Sequence, residues 1–275
     1  MIIQRCRMID VIIPIYNGYE ETRECIEALL KSNNKIAHRF VFINDKSPNE
    51  DILKLLNSID DGRVTLLNNE ENLGFVKTVN RGMSASENDV ILLNSDTVVT
   101  ENWIDKMYKA AYSNEKVGTV TALTNNGTIA SVPYFNQDNE LPKGYTIEGF
   151  ANLVERVSER AYPTIPTAVG HAMYIKRSMI NEIGFFDEDS FGMGYGEEMD
   201  FSCRLIRKGY KNILADDTFI FHYGSTSFKD EKAQLIFENK KKLLKNHWWY
   251  PINVRVFLYF NKKVKNICKR IQKEM

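Results

Sequence analysis

The sequence predicts an α/β fold: a Rossmann-like, mostly parallel central sheet with helices on both faces. Short apolar runs alternate with helical periodicity from Met8 to about Val120. The run at residues 90–93 is apolar at every position, as a strand buried on both faces requires. Several runs end in small polar clusters at what would be one edge of the sheet, the edge where open α/β sheets bind ligands.

Taken in order, residues 9–15, 40–43, 64–67, 90–93 and 117–120 read as strands. Residues 20–31, 50–59, 75–85 and 102–112 read as the helices between them, each with apolar residues three and four apart. Residues 124–166 lose this periodicity. Asn125-Asn126-Gly127, Pro133, Pro142, Gly144, Pro163 and Pro166 favour turns there, so the stretch reads as an ordered but mobile insertion beside the site. Regular pattern resumes at 167–175, with a helix at 177–183, a glycine-rich turn at 192–196, a helix at 197–208 and a last strand at 218–222. The tail from Lys229 reads as two basic helices separated by Trp248-Trp249-Tyr250-Pro251.

A chain of 275 residues with 43% hydrophobic content is ample for a core. Cys6, Cys25, Cys203 and Cys268 show no paired spacing, so they read as free buried thiols in a reducing compartment. No run approaches the ~20 apolar residues of a membrane span, and residues 9–15 are too short for a secretory signal, so a cytoplasmic protein is expected. The zero net charge conceals an asymmetry: residues 229–275 hold 13 Lys/Arg against 4 Asp/Glu, leaving 23 against 32 for residues 1–228. An acidic body without a recognisable module disfavours nucleic acid as a partner.

Asn94-Ser95-Asp96 follows the 90–93 strand and delivers a carboxylate to the mouth of a site. A hard oxygen ligand there suits Mg²⁺ or Mn²⁺ shared with the phosphates of a nucleoside diphosphate. The turn Pro14-Ile15-Tyr16-Asn17-Gly18 can lay Tyr16 against a base, or simply connect strand to helix. Asp45 can accept a hydrogen bond from a base imide or a ribose hydroxyl, or cap the helix that starts near Asn49. In Asn72-Leu73-Gly74-Phe75-Val76-Lys77, Gly74 admits close backbone approach, and Lys77 either meets a phosphate or is solvated. Glu197 and Glu198 sit at a helix start after alternating glycines, where a carboxylate can serve as general base; Asp200 can pair with Arg204 or take that role itself. His222 closes the last strand as a metal ligand beside Asp96 or as a structural histidine, and His171 is a lesser candidate for lining an acceptor pocket.

In series, the stretches VIIPIYN, VFINDKS, NLGFVKTVNRG, LLNSDTVV, GFFDE, GYGEEMDFSCRL and FHYGSTSF resemble the family 2 glycosyltransferases of the GT-A fold, especially the bacterial branch that includes rhamnosyl- and galactofuranosyltransferases. The likeness runs from about residue 9 to 228. It implies that Asp45 contacts the base and that Pro14 and Tyr16 line its pocket; Gly74 and Lys77, from their own motif, and Asn94 and Ser95 complete the expected donor-binding residues. It puts Asn94-Ser95-Asp96 in the place of the Asp-x-Asp metal motif and His222 in the place of a later metal-binding histidine. Glu197-Glu198 falls where the family commonly has Glu-Asp, which makes Glu198 the implied base, with Glu197 or Asp200 as substitutes. Two residues depart from the pattern: Asn94 replaces the first aspartate, and Glu198 is one methylene longer than aspartate.

The organisation then expected is a GT-A domain over 1–228, with a nucleotide-binding half at about 8–122 and an acceptor-side half at about 123–228, followed by a basic helical extension at 229–275. The implied reaction is an inverting, metal-dependent transfer from a UDP- or dTDP-type sugar to a hydroxyl of a glycan or lipid-linked acceptor, in bacterial surface polysaccharide synthesis. A catalytically silent nucleotide-sugar-binding or scaffold protein is the alternative. A sugar-phosphate nucleotidyltransferase would show a glycine-rich basic loop where this chain has Pro14 to Gly18. The tail either docks on an anionic membrane, with Trp248, Trp249 and Tyr250 at the interface and the protein peripheral on the inner face, or packs on the body or on a second subunit of an oligomer.

Overall fold

Because the strands are apolar on both faces, the sheet they form is covered on both sides. The structure, a computed structural model, describes residues 8–224 and 229–275; Cys6 and residues 225–228, the end of the FHYGSTSF stretch, lie outside the described residues. The first half runs β1 (Ile9–Ile15), α1 (Tyr19–Lys31), β2 (His38–Asn44), α2 (Glu50–Asn57), β3 (Val64–Asn68), α3 (Gly74–Ser84), β4 (Asp89–Leu93), β5 (Thr97–Val98), α4 (Trp103–Ala111) and β6 (Val117–Leu123). The second half runs α5 (Ile147–Val157), β7 (Thr164–Ile165), β8 (Ala172–Ile175), α6 (Arg177–Ile183), α7 (Glu188–Phe191), α8 (Glu197–Arg207), β9 (Lys211–Phe219) and β10 (Phe221–His222). The tail forms α9 (Lys229–Asn246), α10 (Tyr250–Phe260) and α11 (Lys262–Glu274).

Eight strands make one sheet in the order β3-β2-β1-β4-β8-β6-β9-β7. The pairs β2–β3, β1–β2, β1–β4 and β6–β9 are parallel, while β8 runs antiparallel to β4 and β6, and β7 antiparallel to β9. The sheet is thus mostly parallel with helices around it, as the sequence predicts. Asp10, the one polar residue of the first run, is fully buried and tied to Arg39 at 3.0 and 2.9 Å, directly across the β1–β2 register. A buried carboxylate needs such a partner. Because β1, β2 and β4 are adjacent and parallel, the polar segments after Ile15, Asn44 and Leu93 share one edge.

The structure corrects three sequence expectations. Residues 124–166 contain helix α5, capped by the Thr146 hydroxyl, which accepts from the Gly149 N–H at 3.0 Å. Its Phe150 meets Phe219 edge-to-face at 4.9 Å, so the stretch is a packed layer despite its prolines. The last long strand starts at Lys211, well before the expected 218, because the buried pair Asp216-Asp217 breaks its apolar pattern. Asp216 is satisfied by the Ser158 hydroxyl at 2.8 Å and the Tyr162 N–H at 2.9 Å. The tail is three helices, since the Asn261 side chain caps α11 by accepting from the Val264 N–H at 2.8 Å.

The tail is also part of the fold. Val264, Ile267, Cys268 and Ile271, one face of α11, join a core cluster with Phe150, Val154 and Phe219. Leu243 and Tyr250 join another with Phe191 and Phe201. Cys25, Cys203 and Cys268 are free and buried, and burial pushes the Cys25 thiol up to about 12. Among the described residues, no helix is long and apolar enough to cross a membrane. Polar contacts complete the joint: Asp200, buried on α8, meets His247 Nε2 at 2.8 Å and Arg204 Nε at 2.7 Å. Replacing His247 with Ala removes one of these partners from a buried carboxylate, and urea denaturation should show a loss of about 1–3 kcal/mol. Unchanged stability would mean that the tail is not fastened through this contact.

Candidate active site

After Leu93 the chain turns through Asn94-Ser95-Asp96 into β5. β5 pairs antiparallel with β10 in the register Thr97↔His222 and Val98↔Phe221, and the Tyr223 N–H donates to the Asp96 carbonyl at 3.0 Å. This pairing sets His222 Nε2 at 3.3 Å from Asp96 Oδ1. The other ring nitrogen, Nδ1, lies 2.6 Å from the Asn126 carbonyl, and the His222 N–H donates to Asn125 Oδ1 at 2.8 Å. A carbonyl only accepts, so Nδ1 carries a hydrogen and Nε2 is the nitrogen left for a cation. Burial lowers the imidazole pKa, but Asp96 and the Asn126 carbonyl outweigh it and raise His222 above its ordinary value.

Among the described residues, no three His, Cys, Asp or Glu side chains cluster so as to hold a metal by themselves. One carboxylate and one imidazole still fit Mg²⁺ or Mn²⁺, which complete their shell with water and substrate phosphate. The donor set is therefore compatible with a cation shared with a diphosphate.

Glu197 and Glu198 open α8, where the unpaired backbone N–H groups favour negative charge. Glu197 is buried, and its Oε2 has no hydrogen-bond partner among the described residues. The Glu198 carboxyl lies against Gly170, where an added Cβ would overlap Oε1. Burial pushes both carboxyl groups up: Glu197 to about 7, and Glu198 well above the carboxylate range, with the charge of Glu197 adding to the second. Gly170 is followed by His171, whose buried ring stacks on His222 with centroids 5.8 Å apart. Gly170-His171 thus connects Glu198 to the Asp96–His222 pair, and the Asn94 N–H donates to the His171 carbonyl at 3.1 Å. Burial, then His222, holds the pKa of His171 well below the ordinary value, against a smaller opposing effect of the Ala122 backbone.

The other expected site residues are less uniform. Tyr16 is exposed and Pro14 half-buried at the end of β1, and Asn94, Ser95 and Asp96 are half-buried at the end of β4. Asp45 does not cap α2, because Asn49 does so itself, accepting from the Asp51 N–H at 2.9 Å. Instead Asp45 is buried and accepts from the Leu73 and Gly74 N–H groups at 2.8 and 3.0 Å and from Asn69 Nδ2 at 2.7 Å, which fixes the start of α3. Gly74, at φ +77°, is required by protein rather than by open space for a ligand: a Cβ would meet Met193 Sδ at 2.9 Å and the Gly192 carbonyl at 3.0 Å. Lys77 is exposed, in a groove that it lines with Asn80, Phe185 and Glu188. Asp200 faces Arg204 and His247, which takes it out of the group around Gly170.

Several residues were not singled out by the sequence. Asn125 and Asn126 orient His222, though they read only as turn formers. Asn239, buried on α9, donates to the Gly194 carbonyl at 2.8 Å and so holds the loop that leads into Glu197 and Glu198.

The fold is that of the GT-A glycosyltransferases. The sequence model described as glycosyl transferase family 2 matches residues 10–184, more than half of the chain, and the chain belongs to that family. It is 28% identical over 103 residues to the glycosyltransferase GlyG of Streptococcus pneumoniae, which covers 37% of this chain and 34% of that protein. It is 24% identical over 281 aligned positions to N-acetylgalactosaminyltransferase 7 of Drosophila melanogaster, covering 91% of this chain and 46% of that protein. The chain thus spans half or less of the length of these curated relatives. Among solved structures, GalNAc-T7 with UDP, GalNAc and Mn²⁺ superposes with a TM-score of 0.67 at 15% identity, over 98% of this chain and 55% of that one. The mannosyltransferase PcManGT of Pyrobaculum calidifontis, in complex with GDP-Man and Mn²⁺, superposes with a TM-score of 0.60 at 16% identity, over 97% and 74%. At these identities the superpositions establish the fold.

The paired carboxyl groups make a prediction that needs no substrate. In ¹³C NMR of glutamate-labelled protein, the Glu197 and Glu198 carboxyl resonances should titrate well above the ~4.3 of an ordinary glutamate, and Glu197→Gln should bring the Glu198 titration down. Two ordinary titrations would refute the enclosed pair.

Proposed function

We propose that this chain moves one sugar from a UDP- or dTDP-type nucleotide sugar to an acceptor hydroxyl, with inversion at the anomeric carbon. The observation that carries the reading is the arrangement along Gly170-His171, with the Asp96–His222 pair on one side and the Glu198 carboxyl on the other. Membership of the family supports it, as do the UDP and the GDP-Man, each with Mn²⁺, named for the two solved structures, which favour a nucleoside diphosphate donor.

In this mechanism the ionised Glu198 carboxylate takes the proton of the acceptor hydroxyl. The acceptor oxygen forms its bond to the anomeric carbon from the face opposite the leaving group, as the bond from that carbon to the diphosphate oxygen breaks. The proton ends on Glu198, and the nucleoside diphosphate departs with the electron pair. No covalent enzyme intermediate is needed. Asp96 and His222 would hold Mg²⁺ or Mn²⁺, which supplies neutralisation of the charge growing on the diphosphate. Pro14 and Tyr16 line the base pocket, with Asp45, whose N–H donates to the Ile15 carbonyl at 2.8 Å, at its edge to contact the base, and Asn94 and Ser95 offer neutral polar groups beside Asp96.

The raised pKa of Glu198 has a consequence of definite sign. The base is active when ionised, so kcat/KM should rise with pH as that carboxyl loses its proton, above the range of an exposed glutamate. The acceptor is a hydroxyl of a glycan or of a lipid-linked sugar, in assembly of a bacterial surface polysaccharide at the cytoplasmic face of the membrane.

Acceptor-dependent release of nucleoside diphosphate in the presence of Mn²⁺ tests the proposal. Glu198→Gln should lower turnover by at least ~10²-fold with donor affinity by calorimetry nearly unchanged. Asp96→Asn should instead weaken donor binding only when Mn²⁺ is present. Near-normal turnover in the Glu198 variant moves the base elsewhere, and donor binding by the parent chain without any transfer would favour a silent binding protein.

A further inference from the structure

Helix α10 is apolar on two faces. One face beds into the body: Tyr250 and Phe257 are buried, and Val254 packs against the same core as Tyr250. The opposite face points to solvent, with Ile252 57%, Val256 52%, Tyr259 78% and Phe260 76% exposed, and Trp248 72% exposed just ahead of the helix. Positions four, seven and eight residues apart lie on one side of a helix, so these side chains form a continuous stripe. A packed surface helix ordinarily turns polar residues outward, and a contiguous exposed apolar patch marks an interaction site.

Charge around the stripe selects the occupant. Residues 239–273 contain eleven Lys/Arg and no Asp/Glu. Lys245, Arg255, Lys262 and Lys263 are exposed before, within and just after α10, at both ends of the stripe. A second copy of this chain would bring two such cationic rims together, which opposes self-association through this face.

We infer that the exposed face of α10 is a docking surface for an anionic lipid bilayer. Aliphatic and aromatic side chains enter the boundary between headgroups and acyl chains, tryptophan and tyrosine sit at the polar level, and the lysines meet lipid phosphates. The inference rests on α10 and its flanks, and it holds whichever residue is the catalytic base.

Flotation of the full chain with vesicles tests it without donor or acceptor. With phosphatidylcholine plus phosphatidylglycerol at low salt the protein should float; with phosphatidylcholine alone, or at high salt, binding should fall at least ~10-fold. Ile252→Ser combined with Tyr259→Ser, and separately Lys262→Glu combined with Lys263→Glu, should each weaken binding about 10-fold with the thermal midpoint unchanged. Failure of the parent chain to bind anionic vesicles at low salt overturns the inference, as does flotation of both variants like the parent. A dimer in sedimentation velocity that the Ile252/Tyr259 variant dissolves, without vesicle binding, would assign the face to a second copy instead.

Discussion

The pairing of Thr97–Val98 with Phe221–His222 is the constraint on which the rest of the site depends, because it brings the ends of two distant strands to one point. Two residues of ladder are little structure by themselves, since each backbone hydrogen bond contributes only about 0.5–1.5 kcal/mol net. The pairing persists because both partners are fixed elsewhere: β4 lies in the centre of the sheet, and His222 is held from the other side by Asn125 and Asn126. The backbone pairing and the two asparagines therefore set Asp96 and His222 side by side. Such positioning suits the proposed metal site, where a cation shared with a diphosphate takes few protein ligands.

The second constraint is enclosure of charge. Glu197, buried, and Glu198, half-buried with its carboxyl against Gly170, sit side by side at a helix start, and the loop that carries them is tied to the tail through Asn239. Two buried neighbouring carboxyl groups resist simultaneous ionisation, so the pair holds a proton into a pH range where a lone glutamate has lost it. Gly170 sets how closely one of them approaches His171 and the metal-binding edge. The basic tail is thus mechanically tied to the loop that leads into both carboxylates.

Much of this was legible in the sequence, and the exceptions share a cause. Asp96 and His222 could be placed because both follow strands whose apolar pattern is local, and a strand end is a position in space as well as in sequence. Glu198 could be placed because glycines and carboxylates announce a loop and a helix start. By contrast, Gly74 looked like an opening for a ligand but packs against Met193 and Gly192, and Asp45, read as a base contact or a local cap, holds a turn 28 residues away. Those roles depend on which distant segments touch. Helix α5 and the early start of β9 were obscured by prolines on one side and buried aspartates on the other, although Thr146 carried a capping signal.

The proposed mechanism requires Asp96 and His222 to act as one ligand pair for a divalent cation shared with a nucleoside diphosphate. Pulsed electron paramagnetic resonance of the chain with Mn²⁺ and UDP or dTDP addresses it directly. The account predicts a nitrogen coupling to Mn²⁺ from one histidine, together with phosphorus coupling, and loss of the nitrogen coupling in His222→Gln. A Mn²⁺–nucleotide complex that binds the protein with no nitrogen coupling at all would contradict it.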